Sequence, residues 1–216
     1  MHSQHERKRM KRAAAVTVAS LFAALAQGAH AAQPDSWYVG VLAGRTHISN
    51  GCNGVSQAVQ SIGYSTSNFN CSNSATAVGG LVGYQFDRHL GFEIGYTDFG
   101  KPSASGVAAG TPVSADVSPT AFNATLVWTQ PIAAGFSVLG RLGLGITTVK
   151  TYASAPTAST SASAQSRTGV PGIGVEYDFG RIAARLIFDY YGKVGDSSTT
   201  GTTNLSLLSG GVTYSF

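Results

Sequence analysis

Five charged side chains spread along the sequence could do chemistry together: Glu93, Arg141, Glu176, Arg185 and Asp189. Paired carboxylates beside guanidinium groups are the raw material of general acid–base catalysis. The same set, if buried, is equally the raw material of an ion-pair network, because a charge taken out of water requires a partner. A second possibility rests on histidine. His47 has Ser49 two residues on, and His–Ser pairs serve nucleophilic catalysis, but no acid follows at a useful spacing. His89 falls in a short Asp87-Arg88-His89 connection, where a solvated surface role is expected. Cys52 and Cys71 lack a C-x-x-C spacing or a neighbouring histidine pair, so no metal site is implied. Neither G-x-G-x-x-G nor G-x-x-x-x-G-K-[ST] occurs, so no phosphate cradle and no cofactor are expected.

Which chemistry applies depends on the elements that hold these residues. Eight segments alternate with period two: 36–47, 75–86, 90–99, 119–129, 135–150, 166–179, 182–193 and 205–216. In 90–99, Leu90, Phe92, Ile94 and Tyr96 oppose Gly91, Glu93, Gly95 and Thr97. In 135–150, Phe136, Val138, Leu142, Leu144 and Ile146 oppose Ser137, Arg141, Gly143, Gly145 and Thr147. In 182–193, Ile182, Leu186, Phe188 and Tyr190 oppose Arg185 and Asp189. One face is bulky and apolar; the other is small, polar or charged.

Composition decides which face points outward. Only 11% of the 216 residues are charged, while there are 27 glycines, 10 Phe, 9 Tyr and 2 Trp. Soluble domains carry roughly 25% charged residues, so charge is too scarce here to coat an outer surface. Disorder, a coiled coil and a nucleic-acid-coating protein are excluded on the same grounds. What remains is an all-β, eight-stranded antiparallel up-and-down barrel, apolar toward lipid and polar toward the lumen. Closure satisfies every backbone group inside a membrane. Connections alternate long (48–74, 100–118, 151–165) and short (87–89, 130–134, 180–181), as expected for exposed loops on one side and tight turns on the other. Trp37, Tyr84, Phe86, Phe92, Trp128, Phe136, Tyr177, Phe179, Tyr214 and Phe216 group near the short-turn ends, and Tyr96, Phe99, Tyr152 and Tyr190 near the other rim, the depths at which aromatic girdles sit. The Ser/Ala/Thr-rich run 153–166 reads as a low-complexity, mobile loop.

Residues 1–31 read as a secretory signal: Arg7, Lys8, Arg9, Lys11 and Arg12 form a basic head, Ala13 to Ala26 an apolar stretch, and Ala29-His30-Ala31 a cleavage site. Its removal takes five basic residues and one acidic residue. The formal net charge of +4 then falls to zero, which removes any argument for an acidic partner. The barrel domain is expected over 32–216. An exported chain meets an oxidising compartment, so a Cys52–Cys71 disulfide is expected there. It would be worth about 3 kcal/mol in the chain-entropy model.

The stretches SWYVGVLAG (36–44), VGYQF (82–86), LGFEIGYTDFG (90–100), GRLGLG (140–145), GVEYDFGRIAARL (174–186) and GGVTYSF (210–216) resemble, in order and spacing, the transmembrane domain of the outer membrane protein A (OmpA) family. The resemblance implies a Gram-negative outer-membrane barrel whose lumen is blocked by ion pairs. Glu93, Glu176, Arg141 and Arg185 fall on matching positions. A family lysine that offers an alternative partner to the first of these aligns with Thr125, and Asp189 adds an acid. Longer members carry a peptidoglycan-binding domain; this sequence ends at the eighth segment, so that function is not expected. The expected function is structural and surface-interacting, non-enzymatic, with Glu93 and Arg185 paired in a largely plugged lumen. The alternatives are a small-solute channel of the opacity-porin type and a lipid-modifying barrel enzyme dependent on His47. Expected partners are outer-membrane lipid, host or surface ligands at the long loops, and the barrel-assembly machinery; no nucleic acid is expected, and the chain should be a monomer. The assembly machinery would read a C-terminal signal formed by Leu208, Val212, Tyr214 and Phe216, which share one face.

Overall fold

Period-two alternation favours extended backbone, and in a computed structural model the described residues are strand almost throughout. The structure describes residues 34–49, 66–108, 111–155, 158–194 and 203–216. The proposed signal segment, 1–31, and Cys52 lie outside these. Ten strands follow in order: β1 (Ser36–Ser49), β2 (Thr66–Cys71), β3 (Ser74–Gln85), β4 (Leu90–Asp98), β5 (Ser103–Ala108), β6 (Thr111–Ala133), β7 (Phe136–Ala155), β8 (Ala158–Asp178), β9 (Ile182–Val194) and β10 (Thr203–Ser215). All pairings are antiparallel. The eight strands β1, β3, β4, β6, β7, β8, β9 and β10 close on themselves through β6–β7 and β1–β10.

Burial shows that the barrel is inside-out. Leu144 is 75% exposed and Leu142 67%, whereas Glu93 is 1% exposed and Arg185 8%. The outer wall presents Val39, Val41, Val82, Ile94, Leu126, Ile173, Leu186 and Val212, a lipid-facing band. Near the short turns the rings touch: Trp37 packs at a tilt on Tyr84 (centroids 5.0 Å), and Tyr84 meets Phe86 (5.3 Å), Phe136 meets Tyr177 (4.5 Å) and Tyr177 meets Phe179 (4.6 Å) edge to face.

Three expectations about connections need correction. The run 153–166 is not a loop: β7 and β8 stay paired out to Ala155↔Ala158. Small β-tolerant side chains on two adjacent, already registered strands simply continue the ladder. The 100–118 connection likewise contains β5, which pairs with the upper part of β6. Gln130 to Ala133 belong to β6, so that turn is only Ala134–Gly135.

The short turns are set by aspartates and glycines. Asp178 Oδ1 accepts the Gly180 N–H (2.6 Å), and Gly180 takes a φ of 101° that side chains rarely adopt. At the other tight turn Asp87 Oδ1 accepts the N–H groups of His89 (2.6 Å) and Leu90 (2.9 Å). These two donors, His89 first, hold the Asp87 carboxyl below the usual carboxylate range. A depressed folded-state value means the turn gains stability above the unfolded value, about 3.9, and loses it as pH falls through the folded one. In detergent, the Asp87 carboxyl resonance should therefore titrate below that of the unfolded chain, with amide exchange at Leu90 quickening once it protonates. A midpoint at the unfolded value would contradict this.

His89 is not merely solvated. Its ring is half-buried, stacks on Trp128 (5.4 Å, 16° between planes), and its Nδ1 lies 3.0 Å from the Thr129 carbonyl oxygen.

Candidate functional site: a charged lumen

Strand register explains how the inward charges meet. Glu176 on β8 lies directly opposite Arg185 on β9, so their side chains share one face of neighbouring strands. Two other contacts reach past an intervening strand across a glycine. Arg141 on β7 faces Gly172 on β8, which faces Asp189 on β9. A Cβ at Gly172 would lie 2.2 Å from Asp189 Oδ1, so the bare backbone is what lets Arg141 reach it. In the same way Tyr38 on β1 faces Gly83 on β3, which faces Glu93 on β4. A Cβ at Gly83 would come within 2.2 Å of the Tyr38 ring.

The result is one continuous cluster. Glu93 accepts from Arg141 Nη1 at Oε2 (2.5 Å), and at Oε1 from both Arg185 Nη1 (2.5 Å) and the Tyr38 hydroxyl (2.8 Å). Arg141 Nε donates to Asp189 Oδ1 (3.1 Å), and Arg185 Nε to Glu176 Oε2. The Arg185 guanidinium also lies over the Tyr38 ring, 5.0 Å from its centroid, a cation–π contact. All five charged groups are buried. Val127, Leu139 and Ile187 form an apolar cluster on the inner wall, with Leu42 packed against it.

Tyr38 escaped the sequence reading, although a signal was there: once Trp37 is assigned to the outer face, alternation turns Tyr38 inward. Phe99 was placed wrongly. It is not a girdle residue but fully buried inside the barrel. Thr125 is buried and accepts from Asn123 Nδ2 (3.3 Å). Of the glycines lining this side, Gly143 lies against the Thr125 hydroxyl and Gly145 against Val170 and Tyr191, rather than against Arg or Glu.

Other singled-out residues lie elsewhere. His47 is exposed on the outer face of β1, away from the cluster. Cys71 ends β2. Leu208, Val212, Tyr214 and Phe216 are all exposed on the outer face of the last strand, and the Phe216 N–H donates to the Trp37 carbonyl (3.1 Å). Among the described residues there is no group of three or more His, Cys, Asp or Glu side chains able to hold a metal.

Comparison with known proteins agrees with this architecture. The family model for the OmpA-like transmembrane domain matches residues 32–216. This chain belongs to that family. Outer membrane protein A of Klebsiella aerogenes is 30% identical over 212 residues, and that of Shigella flexneri 27% over 208; each alignment covers 94% of this chain and 55% of the relative. The chain thus spans about half the length of the curated relatives it matches. Among solved structures, Ail, the attachment invasion locus protein of Yersinia pestis, superimposes with a TM-score of 0.51 at 15% identity, covering 85% of this chain and all of Ail. A second Ail structure, in complex with the heparin analogue sucrose octasulfate, gives 0.52 at 12%. At such identity the likeness is one of fold. Family membership makes this OmpA-like chain a protein of the bacterial outer membrane.

Proposed function

We propose that this OmpA-like barrel is a non-enzymatic structural and surface-contact protein whose lumen is plugged. The observation that carries the reading is the buried cluster itself. Three carboxylates and two guanidinium groups satisfy one another across the barrel instead of lining an open channel. An eight-stranded barrel is just wide enough for side chains to fill it. Catalysis is disfavoured because the five charged groups pair with one another inside a closed wall, and His47 lies on the outer face.

On this reading the short turns face the periplasm and the long connections face outward. Cys52 and Cys71 pair as a disulfide at that outer end, and Leu208, Val212, Tyr214 and Phe216 are read by the assembly machinery after export directed by 1–31. The partner of the outer wall is membrane lipid, and the chain is a monomer. Surface ligands meet the long connections; Ail, another barrel of this fold, has been solved in complex with the heparin analogue sucrose octasulfate. The test is single-channel recording in planar bilayers. Wild-type protein should give closed or very small currents, and stable openings abolished by lumen substitutions would replace this reading with that of a small-solute channel.

A further inference from the structure

The outer wall changes character along its height, and strand register shows where. Tyr96 on β4, Phe122 on β6, Ile146 on β7 and Arg167 on β8 form one cross-strand row, all exposed on the outer face. The next outward row holds Thr120, Thr148 and Gln165, and the one after it Ser118, Lys150 and Ser163. A third row runs across β5 to β8: Ser103, Asp116, Tyr152 and Ser161. Across β6, β7 and β8, then, outward apolar side chains stop at Phe122 and Ile146. Hydroxyl, amide and charged groups fill the three rows above, apart from one ring, Tyr152, which is 53% exposed.

Height separates that ring from the outer girdle. Phe136, in the lower girdle, and Ile146 are ten residues apart. At about 3.3 Å per residue and a tilt of about 40° they span roughly 25 Å of height, the whole apolar band of such a barrel. Tyr152 is six residues further on, roughly 15 Å above the band. The expectation that Tyr152 joins Tyr96 in the girdle is thereby corrected. Its neighbours are polar and held in place by four hydrogen-bonded strands, so little ordering cost attaches to using them. Adjacent strands lie about 4.8 Å apart and successive outward residues about 6.6 Å, so Asp116 and Ser161 flank Tyr152 and Lys150 follows one row below.

We propose that this outer face of β5 to β8, centred on Tyr152 and Asp116, binds a neutral saccharide. A sugar ring has one face of C–H groups, which packs on an aromatic ring, and a rim of hydroxyls that donate and accept. A carboxylate accepts from such a rim, an ammonium donates to it, and serine does both. Asp116 and Lys150 supply one charge of each sign, so the patch has no net attraction for a sulfated or other polyanionic chain. Membrane lipid lies too low to reach Tyr152, and a protein partner would call for an apolar centre that one ring among hydroxyls does not provide. The inference rests on the reading of the long connections as an outward contact surface and names the class of ligand met there.

Ligand-detected nuclear magnetic resonance on the barrel in lipid nanodiscs tests it, with gluco-, galacto- and mannotetraose as probes and a sulfated glucan fragment as contrast. At least one neutral tetrasaccharide should bind. Tyr152→Ala should weaken that binding at least about tenfold, while Tyr152→Phe, which keeps the ring, should stay within about threefold. Asp116→Ala should weaken it about three- to tenfold. Absence of binding by all three, binding indifferent to Tyr152→Ala, or preference for the sulfated glucan overturns the proposal. Ser161→Cys, in a chain with Cys52→Ser and Cys71→Ser, reports on the face itself. A membrane-impermeant maleimide should label it both in nanodiscs and on intact cells. Labelling only after the cells are broken refutes the outward-facing reading on which the proposal rests. No labelling even in nanodiscs puts the face in lipid and overturns the proposal directly.

Discussion

Arg185→Ala should cost about 3–5 kcal/mol of unfolding free energy in detergent or lipid, because it strands buried carboxylates rather than merely deleting a contact. Arg185 donates to two acids on different strands, Glu176 and Glu93. Glu93 keeps Arg141 and Tyr38 when Arg185 goes, but Glu176 is left without the guanidinium directly opposite it. The size of the loss should therefore track Glu176. Arg185→Ala/Glu176→Ala should be more stable than Arg185→Ala alone, and Arg185→Met/Glu176→Leu more stable still, since apolar replacement of a buried pair is often near neutral. Reversible urea unfolding of the four corners of an Arg185–Glu93 cycle measures the remaining coupling. Additive effects would show that those two groups do not interact energetically.

Deleting Phe216 should sharply lower outer-membrane levels in cells while leaving purified protein able to refold in detergent. Phe216 is exposed on the lipid side, and its burial in the membrane is worth about 1.5–3 kcal/mol at most. In the closed barrel its N–H bonds the Trp37 carbonyl, where the last strand meets the first. Before closure that same strand has a free edge, which another sheet can recognise by strand addition. The assembly role and the girdle role thus predict different defects. Periplasmic degradation with normal refolding in vitro is the expected result; normal surface levels would leave Phe216 as one more ring at the interface.

Much of this was legible in alternation alone. Parity along 90–99 turns Glu93 inward, and parity along 135–150 and 182–193 does the same for Arg141, Arg185 and Asp189. Alternation fixes a face, but not how far a side chain reaches along it. Tyr38 and Glu93 touch only because Gly83 stands between them, and that relation depends on register across β1, β3 and β4. Phe99 failed for a different reason. It shares the parity of Glu93 and Thr97 along 90–99, which turns it inward, but an aromatic ring at a strand end reads as a girdle residue. The 153–166 run failed because composition measures hydrophobicity. Serine, threonine and alanine carry little of it, yet they fit a ladder already aligned by Ile146↔Arg167 and Leu144↔Gly169 below.

The length of that ladder has a consequence for the cell surface. The outermost exposed bulky residue on β7 is Tyr152, and pairing with β8 continues three residues further, to Ala155. At about 3.3 Å per residue the paired ribbon extends roughly 10 Å along the strand beyond that ring. An object approaching from the side of the long connections would meet this ribbon. Whatever selection such encounters impose falls on a short stretch of serine, threonine and alanine, far from the charges that hold the interior together.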